Sequence, residues 1–190
     1  MRIIDISKEM FSADVYPGDP TPQLEWKKHI GENGSQSNFS VLTSGSHAAT
    51  HLDAPYHFVN DGCTMEAMPL ERFYGPCVVA SAKGRLTAEE TKALLKPGCT
   101  RLLLHGDAEG FFTAESAAVL EEAGVELVGT DSQTIGDGNA HRAILGRKIA
   151  VLEGLSLAHV PDGSYTLVAF PLKMDGVEAT FTRAVLLQEE

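Results

Sequence analysis

Residues 77–105 read CVVASAKGRLTAEETKALLKPGCTRLLLH, and this stretch indicates the fold class. Its two ends are short apolar runs that predict β-strands at residues 77–81 and 101–105. Between them, residues 87–90 form a capping box, in which Thr87 and Glu90 satisfy the free N–H groups at the start of a helix. Pro97-Gly98 then ends that helix. A strand, a helix and a second strand in succession are typical of an α/β domain.

The same alternation extends on both sides of this stretch. A second helix is predicted at residues 113–123, followed by Gly124 in the position where a helix commonly ends. Asp175-Gly176 is a hairpin signal, so antiparallel strands are expected beside the parallel ones. The further predicted strands are residues 2–7, 39–42, 125–129, 149–152, 165–172 and 177–187. We therefore predict a single α/β domain over residues 1–190, with a mixed sheet or barrel and flanking helices.

Composition narrows the classes of partner. The net charge of -11 argues against nucleic acid and against anionic membrane surfaces, both of which attract basic proteins. No apolar run approaches the length of a membrane span, and the first residues lack a signal-peptide core. The three cysteines have neither metal-binding nor disulfide-framework spacing. We expect a cytoplasmic protein with a small-molecule partner and no nucleic-acid or membrane partner.

Ligand-type side chains are concentrated in residues 46–57, SHAATHLDAPYH. His47, His51, Asp53 and His57 lie within eleven residues of a chain that has only seven histidines. Imidazole and carboxylate are ligands that suit zinc and manganese, so the cluster favours a metal site over ordinary surface or core histidines. The spacing of His47 and His51 fits one helix face, but Pro55 and the small neighbours favour a structured loop.

Further ligands are expected from a second segment, because one segment rarely completes a coordination sphere. His141 and Glu153 are the candidates. Glu153 ends the apolar strand 149–152, so it is either a solvated strand end or a ligand at the place where α/β active sites commonly lie. His29 and His159 match no motif and are expected to be structural, whereas His105, at a strand end, has either a structural or a pocket role.

Four patterns, in order along nearly the whole chain, resemble the cyclase superfamily of metal-dependent hydrolases, which includes the bacterial kynurenine formamidases. They are an aromatic-Pro-Gly-Asp at residues 16–19, H-x3-H-x-D-x-P-x-H at 47–57, H-x11-E-G-L at 141–155, and the closing segments 165–172 and 182–186. The resemblance implies a swivelling β/β/α fold. It also implies a homodimer or homotetramer.

The resemblance further implies a two-metal centre. The implied ligands are His47, His51, Asp53 and Glu153 for the first ion, and Asp53, His141 and Glu153 for the second. His57 would then be the proton donor and acceptor, and Tyr16 would contact substrate. The cofactor implied is two zinc ions per chain, with manganese as the alternative.

Three departures from the family pattern bear on the pocket. Ala49 stands where relatives usually have glycine, and it would be strained if the backbone there takes a positive φ. His105-Gly106 replaces a usual Arg-Thr, and residues 130–136 lose a usual Pro-Ser-x-Asp character. Since none of these positions is an implied ligand, we expect an altered substrate rather than altered chemistry.

The function that the resemblance implies is hydrolysis of the carbon–nitrogen bond of an amide or formamide in a small aromatic substrate, as in the formamidases of tryptophan catabolism. No GxSxG nucleophile elbow is present, which argues against catalysis by a nucleophilic serine. Two alternatives stay open: a mononuclear manganese hydrolase of cyclic amides of the isatin type, and a non-catalytic metal-stabilised binding protein. His57 argues against the last, because a structural site would not need it.

Overall fold

The computed structural model describes residues 1–189. Within that range the strands are β1 Arg2–Asp5, β2 Gln23–Lys28, β3 Phe39–Thr43, β4 His51–Asp53, β5 Tyr74–Ser81, β6 Gly84–Arg85, β7 Arg101–His105, β8 Gly110–Phe111, β9 Leu127–Thr130, β10 Ala150–Glu153, β11 Gly163–Val168, β12 Ala179–Phe181 and β13 Val185–Gln188. The α-helices are α1 Ala88–Leu94, α2 Ser116–Glu122 and α3 Gly138–Leu145. Short 3-10 turns join several of these elements.

The main sheet has the strand order β1-β13-β11-β5-β7-β9-β10-β4-β12. Its centre, β5-β7-β9-β10, is parallel, and α1, α2 and α3 lie in the crossovers between those strands. The outer strands pair antiparallel. The sheet curls far enough that Ser7, after β1, bridges to Leu155, after β10. The predicted α/β fold with a mixed, barrel-like sheet is confirmed.

Two cores lie on opposite faces of this sheet. Alternate residues of a strand point to opposite faces, so Leu103 of β7 enters the core inside the curl, while Leu102 and Leu104 face the helices. Phe73 and Leu152 share the inner core. The outer core includes residues of α2 and α3 and holds the three helices against the sheet. Burial of each such side chain contributes about 1.5–3 kcal/mol.

The helix ends follow the predicted local chemistry. Thr87 Oγ1 accepts a hydrogen bond from the Glu90 N–H, and the Glu90 carboxylate accepts one from the Thr87 N–H, so the predicted capping box is confirmed. Gly124 follows α2 with a φ of 73°, as expected for a glycine after a helix. Among residues 1–189 no helix is long and apolar enough to cross a bilayer.

The prediction of one strand at 177–187 is wrong, because two strands form there. β12 pairs with β4, whereas β13 pairs with β1 and β11. β11 also ends at Val168, four residues earlier than predicted. The Asp175-Gly176 turn therefore does not join neighbouring strands of the main sheet. The physical reason is that β4 pairs with β10 along one edge only, and β12 supplies the hydrogen bonds that its other edge needs.

Candidate metal centre

Two antiparallel strands deliver the buried carboxylates. In the register of β4 and β10, Asp53 lies opposite Val151 and His51 lies opposite Glu153. Directly opposed residues and alternate residues share a face of the sheet, so His51, Asp53 and Glu153 project together. All three are buried. The crossover helix α3 adds His141, which is also buried.

The side-chain distances show how closely these groups converge. His141 Nε2 is 2.9 Å from Glu153 Oε1, and His51 Nε2 is 3.3 Å from Glu153 Oε2. On the other side, His47 Nδ1 is 3.1 Å and His51 Nε2 is 3.6 Å from Asp53 Oδ1. Ligand atoms of His47, His51 and Asp53 lie within 4.8 Å of one another, as do those of Asp53, His141 and Glu153. The two segments singled out in the sequence thus meet, and Asp53 belongs to both groups.

Backbone carbonyls orient two of the histidines. His51 Nδ1 is 3.1 Å from the Ala49 carbonyl oxygen, and His141 Nδ1 is 3.1 Å from that of Asp137. With a proton on Nδ1, each ring donates to its carbonyl. Its Nε2 lone pair is then free to bind a cation between the ring and the carboxylates. This is the arrangement in which proteins commonly hold metal-ligating histidines.

The loop between His47 and His51 is locked by close backbone contacts. Ala49 has a φ of 54°, so the condition under which this alanine would be strained is met. A Cβ on Gly154 would lie 2.0 Å from the Ala49 carbonyl oxygen, so only glycine allows this approach. Thr50 Oγ1 donates to the Gly154 carbonyl at 2.6 Å. These contacts tie the segment that carries His47 and His51 to the end of β10.

Three buried polar atoms at the centre of this cluster make no hydrogen bond of good geometry among residues 1–189: His51 Nε2, Asp53 Oδ1 and Asp53 Oδ2. Polar side-chain atoms lie 3.1–3.6 Å from the first two of them, but not in hydrogen-bond geometry. Each such atom costs about 1–3 kcal/mol when it is unsatisfied, so three in one place require an explanation. Histidine nitrogen and carboxylate oxygen are the donors that zinc and manganese take. The residues present therefore fit a divalent metal ion.

The electrostatics of the cluster agree with a cation site. Burial alone would lower the pKa of His51, but the carboxylates of Glu153 and Asp53 outweigh it and raise that pKa to about 9. Burial alone would raise the pKa of Glu153, but His141 and His51 lower it to about 2. Without a metal ion, protons on the histidines supply the positive charge that the carboxylates require.

A cavity of about 470 Å³ opens onto this cluster. His57, in the 3-10 turn Pro55–His57, lies in its wall with its ring 4.2 Å from that of His47 and 6.0 Å from that of His141. Burial lowers the pKa of His57. Tyr16 also lines the cavity and is exposed, as expected for a residue at the mouth.

Comparison with known proteins gives the family. A sequence model described as "Putative cyclase" matches residues 4–136, more than half of the chain. The kynurenine formamidase of Sphingopyxis alaskensis is 36% identical, over 97% of this chain and 97% of that protein. That of Salinibacter ruber is 34% identical, over 98% of this chain and 97% of that protein. The chain belongs to the cyclase family.

Solved structures support the same assignment. A structure described as a potential metal-dependent hydrolase with cyclase activity is 27% identical, with a TM-score of 0.84 over 100% of this chain and 98% of the other. Isatin hydrolase A from Labrenzia aggregata has a TM-score of 0.84 at 21% identity, over 99% and 94% of the two chains. At that identity the second likeness shows the fold alone.

The other histidines of this cyclase-family chain lie outside the cluster. His105 does not line the cavity, and its Nε2 is 3.9 Å from Asp107 Oδ1, so a pocket role is not supported. His29 packs beside Trp26, and His159 Nε2 is 3.1 Å from the Asp5 carbonyl oxygen. Besides Ala49, two departures from the family pattern were expected in the pocket wall, at His105-Gly106 and at residues 130–136. Gln133, in the second, lines the cavity, whereas the first does not.

Two residues of the site were not predicted. Glu178 Oε1 is 3.3 Å from His47 Nε2 and accepts a hydrogen bond from Ser46 Oγ at 2.6 Å. Nothing in the sequence links Glu178 to the histidines, because only the pairing of β12 with β4 brings it there. Asp137 accepts from the first N–H groups of α3 and so sets the position of His141. Its position before a helix was a detectable cap signal.

Proposed function

We propose that this cyclase-family protein is a metal-dependent hydrolase that cleaves the carbon–nitrogen bond of an amide or formamide in a small aromatic substrate. One observation carries the proposal. His51, whose buried Nε2 makes no hydrogen bond, lines a cavity whose wall also holds a histidine outside the ligand cluster, His57, and the buried Asp53 carboxylate lies 3.6 Å from that Nε2. A site for metal and a separate proton carrier are together what hydrolysis of an amide requires.

The residues that would hold metal are His47, His51, Asp53, His141 and Glu153. Two overlapping donor groups, with Asp53 in both and Glu153 in contact with His51 and His141, support two ions per chain. We propose zinc, with manganese as the alternative, because the donors are imidazole and carboxylate. A divalent ion held there supplies Lewis acidity that polarises a substrate carbonyl.

His57 is the proposed proton carrier. Its lowered pKa keeps the imidazole neutral at neutral pH, so it can accept a proton from the attacking water. The imidazolium so formed can then give that proton to the departing nitrogen, which completes the general base and general acid steps. Tyr16, at the cavity mouth, is the proposed aromatic contact with substrate.

The relatives favour a linear formamide over a cyclic amide. The curated proteins at 33–36% identity are named kynurenine formamidases, whereas the isatin hydrolases share the fold at 17–21% identity. A small aromatic formamide is therefore the proposed substrate.

A homodimer or homotetramer in the cytoplasm is proposed on the family resemblance. Exposed apolar side chains on β2 and β3, among them Trp26 and Phe39, support an interface between copies.

The test is a hydrolysis screen of metal-replete protein against formanilide, a lactam and a phenyl ester. We expect formanilide to be cleaved, His51→Ala to lose metal and activity together, and the matched control His29→Ala, at an exposed histidine outside the cavity, to retain both. Cleavage of none of the three compounds by protein that holds metal would favour the binding-protein alternative.

A further inference from the structure

The backbone of Lys8 is held beside the proposed metal ligands. Its N–H donates to Thr50 Oγ1 at 2.8 Å, and Thr50 Oγ1 donates to the Gly154 carbonyl at 2.6 Å. Thr50 directly precedes His51, and Gly154 directly follows Glu153. Lys8 is therefore tied to the neighbours of two proposed ligands, and its half-buried side chain lines the same cavity. Such a rigid placement is what a group that orients substrate needs.

The ammonium of Lys8 has no acidic partner in the described part of the chain. Its Nζ donates to the carbonyl oxygen of Asp131 at 2.9 Å, and no carboxylate of residues 1–189 lies within 4.0 Å of it. An ammonium has three N–H donors, so two remain for a ligand.

Lys8 is also the only lysine or arginine among the described residues that line the cavity. The other charged side chains of the wall, apart from the proposed metal ligands, are Asp14, Asp19 and Asp137. Asp137 is paired with Arg85 at 2.7 Å. Apart from the proposed metal ions, Lys8 is thus the single cation among the described residues of this wall. An anionic group of the substrate that does not bind the metal ions therefore has Lys8 as its cationic partner there.

We propose that Lys8 binds a carboxylate of the substrate, so that the amides this enzyme prefers are acids rather than neutral compounds. This inference rests on the proposed function, because it assigns a substrate class to the same site. Lys8 Nζ is held at the Asp131 carbonyl and not among the proposed metal ligands, so its proposed role is to bind the carboxylate and not to act on the bond that is cleaved. A hydrogen bond between charged groups of this kind raises affinity by about tenfold to a hundredfold.

The test compares N-formylanthranilate with formanilide, which differ by one carboxylate. Lys8→Gln removes the charge but keeps a donor for the Asp131 carbonyl, and Lys8→Arg keeps the charge. We expect Lys8→Gln to lower kcat/KM for N-formylanthranilate about tenfold to a hundredfold, mainly through KM, and to leave formanilide unchanged. Lys8→Arg should retain most of the preference. Lys92→Gln, which removes an exposed charge on α1, is the control for net charge and should alter neither substrate.

Two kinetic results would overturn the proposal. An equal loss for both substrates in Lys8→Gln protein that keeps the wild-type metal content and circular dichroism would mean that Lys8 acts on the reacting group. No change for either substrate would mean that it contacts neither. If circular dichroism shows that Lys8→Gln is misfolded, Lys8→Arg makes the comparison. Retention of most of the preference for the acid supports the proposal, and loss of that preference contradicts it.

A binding measurement separates this proposal from the proposed function. Anthranilate binding to metal-replete protein, followed by calorimetry, needs no turnover. We expect Lys8→Gln to weaken it about tenfold to a hundredfold. If the wild type cleaves neither amide but this difference holds, the hydrolase function fails and the carboxylate site stands. If anthranilate binds wild type and Lys8→Gln equally, the carboxylate site fails whatever the hydrolysis result.

Discussion

His57 and His51 lie at the same cavity, but their surroundings suit different roles. His51 is buried between the carboxylates of Glu153 and Asp53, which hold a positive charge or a cation there. His57 is half-buried, rests against the ring of His47, and has a pKa lowered chiefly by burial. The first environment suits the proposed role of His51 as a ligand, and the second suits the proposed role of His57 as a proton carrier.

The two substitutions His57→Ala and His51→Ala should therefore differ. We expect His57→Ala to keep its metal and fold while turnover falls by about 10²–10⁴, the usual worth of a general acid and base. His51→Ala should lose metal and activity together, because a ligand is gone. Metal content by mass spectrometry and kcat with formanilide measure both. If His57→Ala loses its metal as completely as His51→Ala, His57 is a ligand and the assignment fails.

Glu178 provides a second test at the level of single side chains. Its carboxylate lies 3.3 Å from His47 Nε2, where it can fix the orientation of that ring. We expect Glu178→Gln to weaken metal binding by about 10–100-fold, the usual effect of losing a carboxylate that orients a ligand. Metal affinity is measured by competition with a chelator. Glu122→Gln, at an exposed position on α2, is the control, and equal affinities in the two variants would exclude this role.

The proposed ligands were predictable from the sequence, whereas Glu178 and Lys8, which lie beside them, were not. His47, His51 and Asp53 lie within one short segment, and His141 and Glu153 fit a known spacing. Glu178 and Lys8 lie far from both segments in the chain. They reach the cavity only through the pairing of β12 with β4 and the hydrogen bond to Thr50, which no local pattern records.

At the level of elements, the loop before β4 stores backbone strain. Ala49 has a φ of 54°, which costs a residue with a Cβ about 1–2 kcal/mol. We expect Ala49→Gly to stabilise the protein by up to about 1 kcal/mol, since the gain is partly offset by the greater freedom of glycine in the unfolded chain. Ala93→Gly, on the exposed side of α1, should instead destabilise by about 1 kcal/mol. Urea unfolding measures both, and a loss of stability in Ala49→Gly would contradict the strain.

Elements were predictable where the chain carries its own signals. The apolar runs of β5, β7 and β10 and the capping box of α1 are local, and all were predicted. β4 and β12 are three residues long and exist because neighbouring strands supply their hydrogen bonds. α3 spans only eight residues, and the packing of its buried face into the outer core stabilises it. Such elements depend on the fold around them rather than on propensity.

At the scale of the whole molecule, the metal-free protein should have a characteristic pH dependence. The pKa of His51 is raised from 6.5 to about 9, so the folded state holds that proton more tightly than the unfolded state. The resulting stability is fully present below pH 6.5 and is lost as the pH rises towards 9. The pKa of Glu153 is lowered from 4.5 to about 2, so its contribution is present above pH 4.5 and is lost as the pH falls towards 2.

We therefore expect the melting temperature of chelator-treated protein to fall between pH 6.5 and 9. The metal-loaded protein should not show this fall, because metal replaces the protons. Calorimetric scans of both forms across this range make the comparison. A melting temperature of the metal-free form that stays level up to pH 9 would contradict the electrostatic account of the cluster.

The proposed hydrolysis depends on metal held by the segments around β4, α3 and β10. The most direct measurement is stepwise return of zinc to chelator-stripped protein, with bound metal and formanilide turnover recorded at each step, in the wild type and in His141→Ala. We predict that stripped protein is folded but inactive, that turnover returns as about two ions bind per chain, and that His141→Ala loses the second ion first. Full activity in the stripped protein would contradict metal dependence. A wild type that binds only one ion per chain, with that ion retained in His141→Ala, would contradict the two-metal centre.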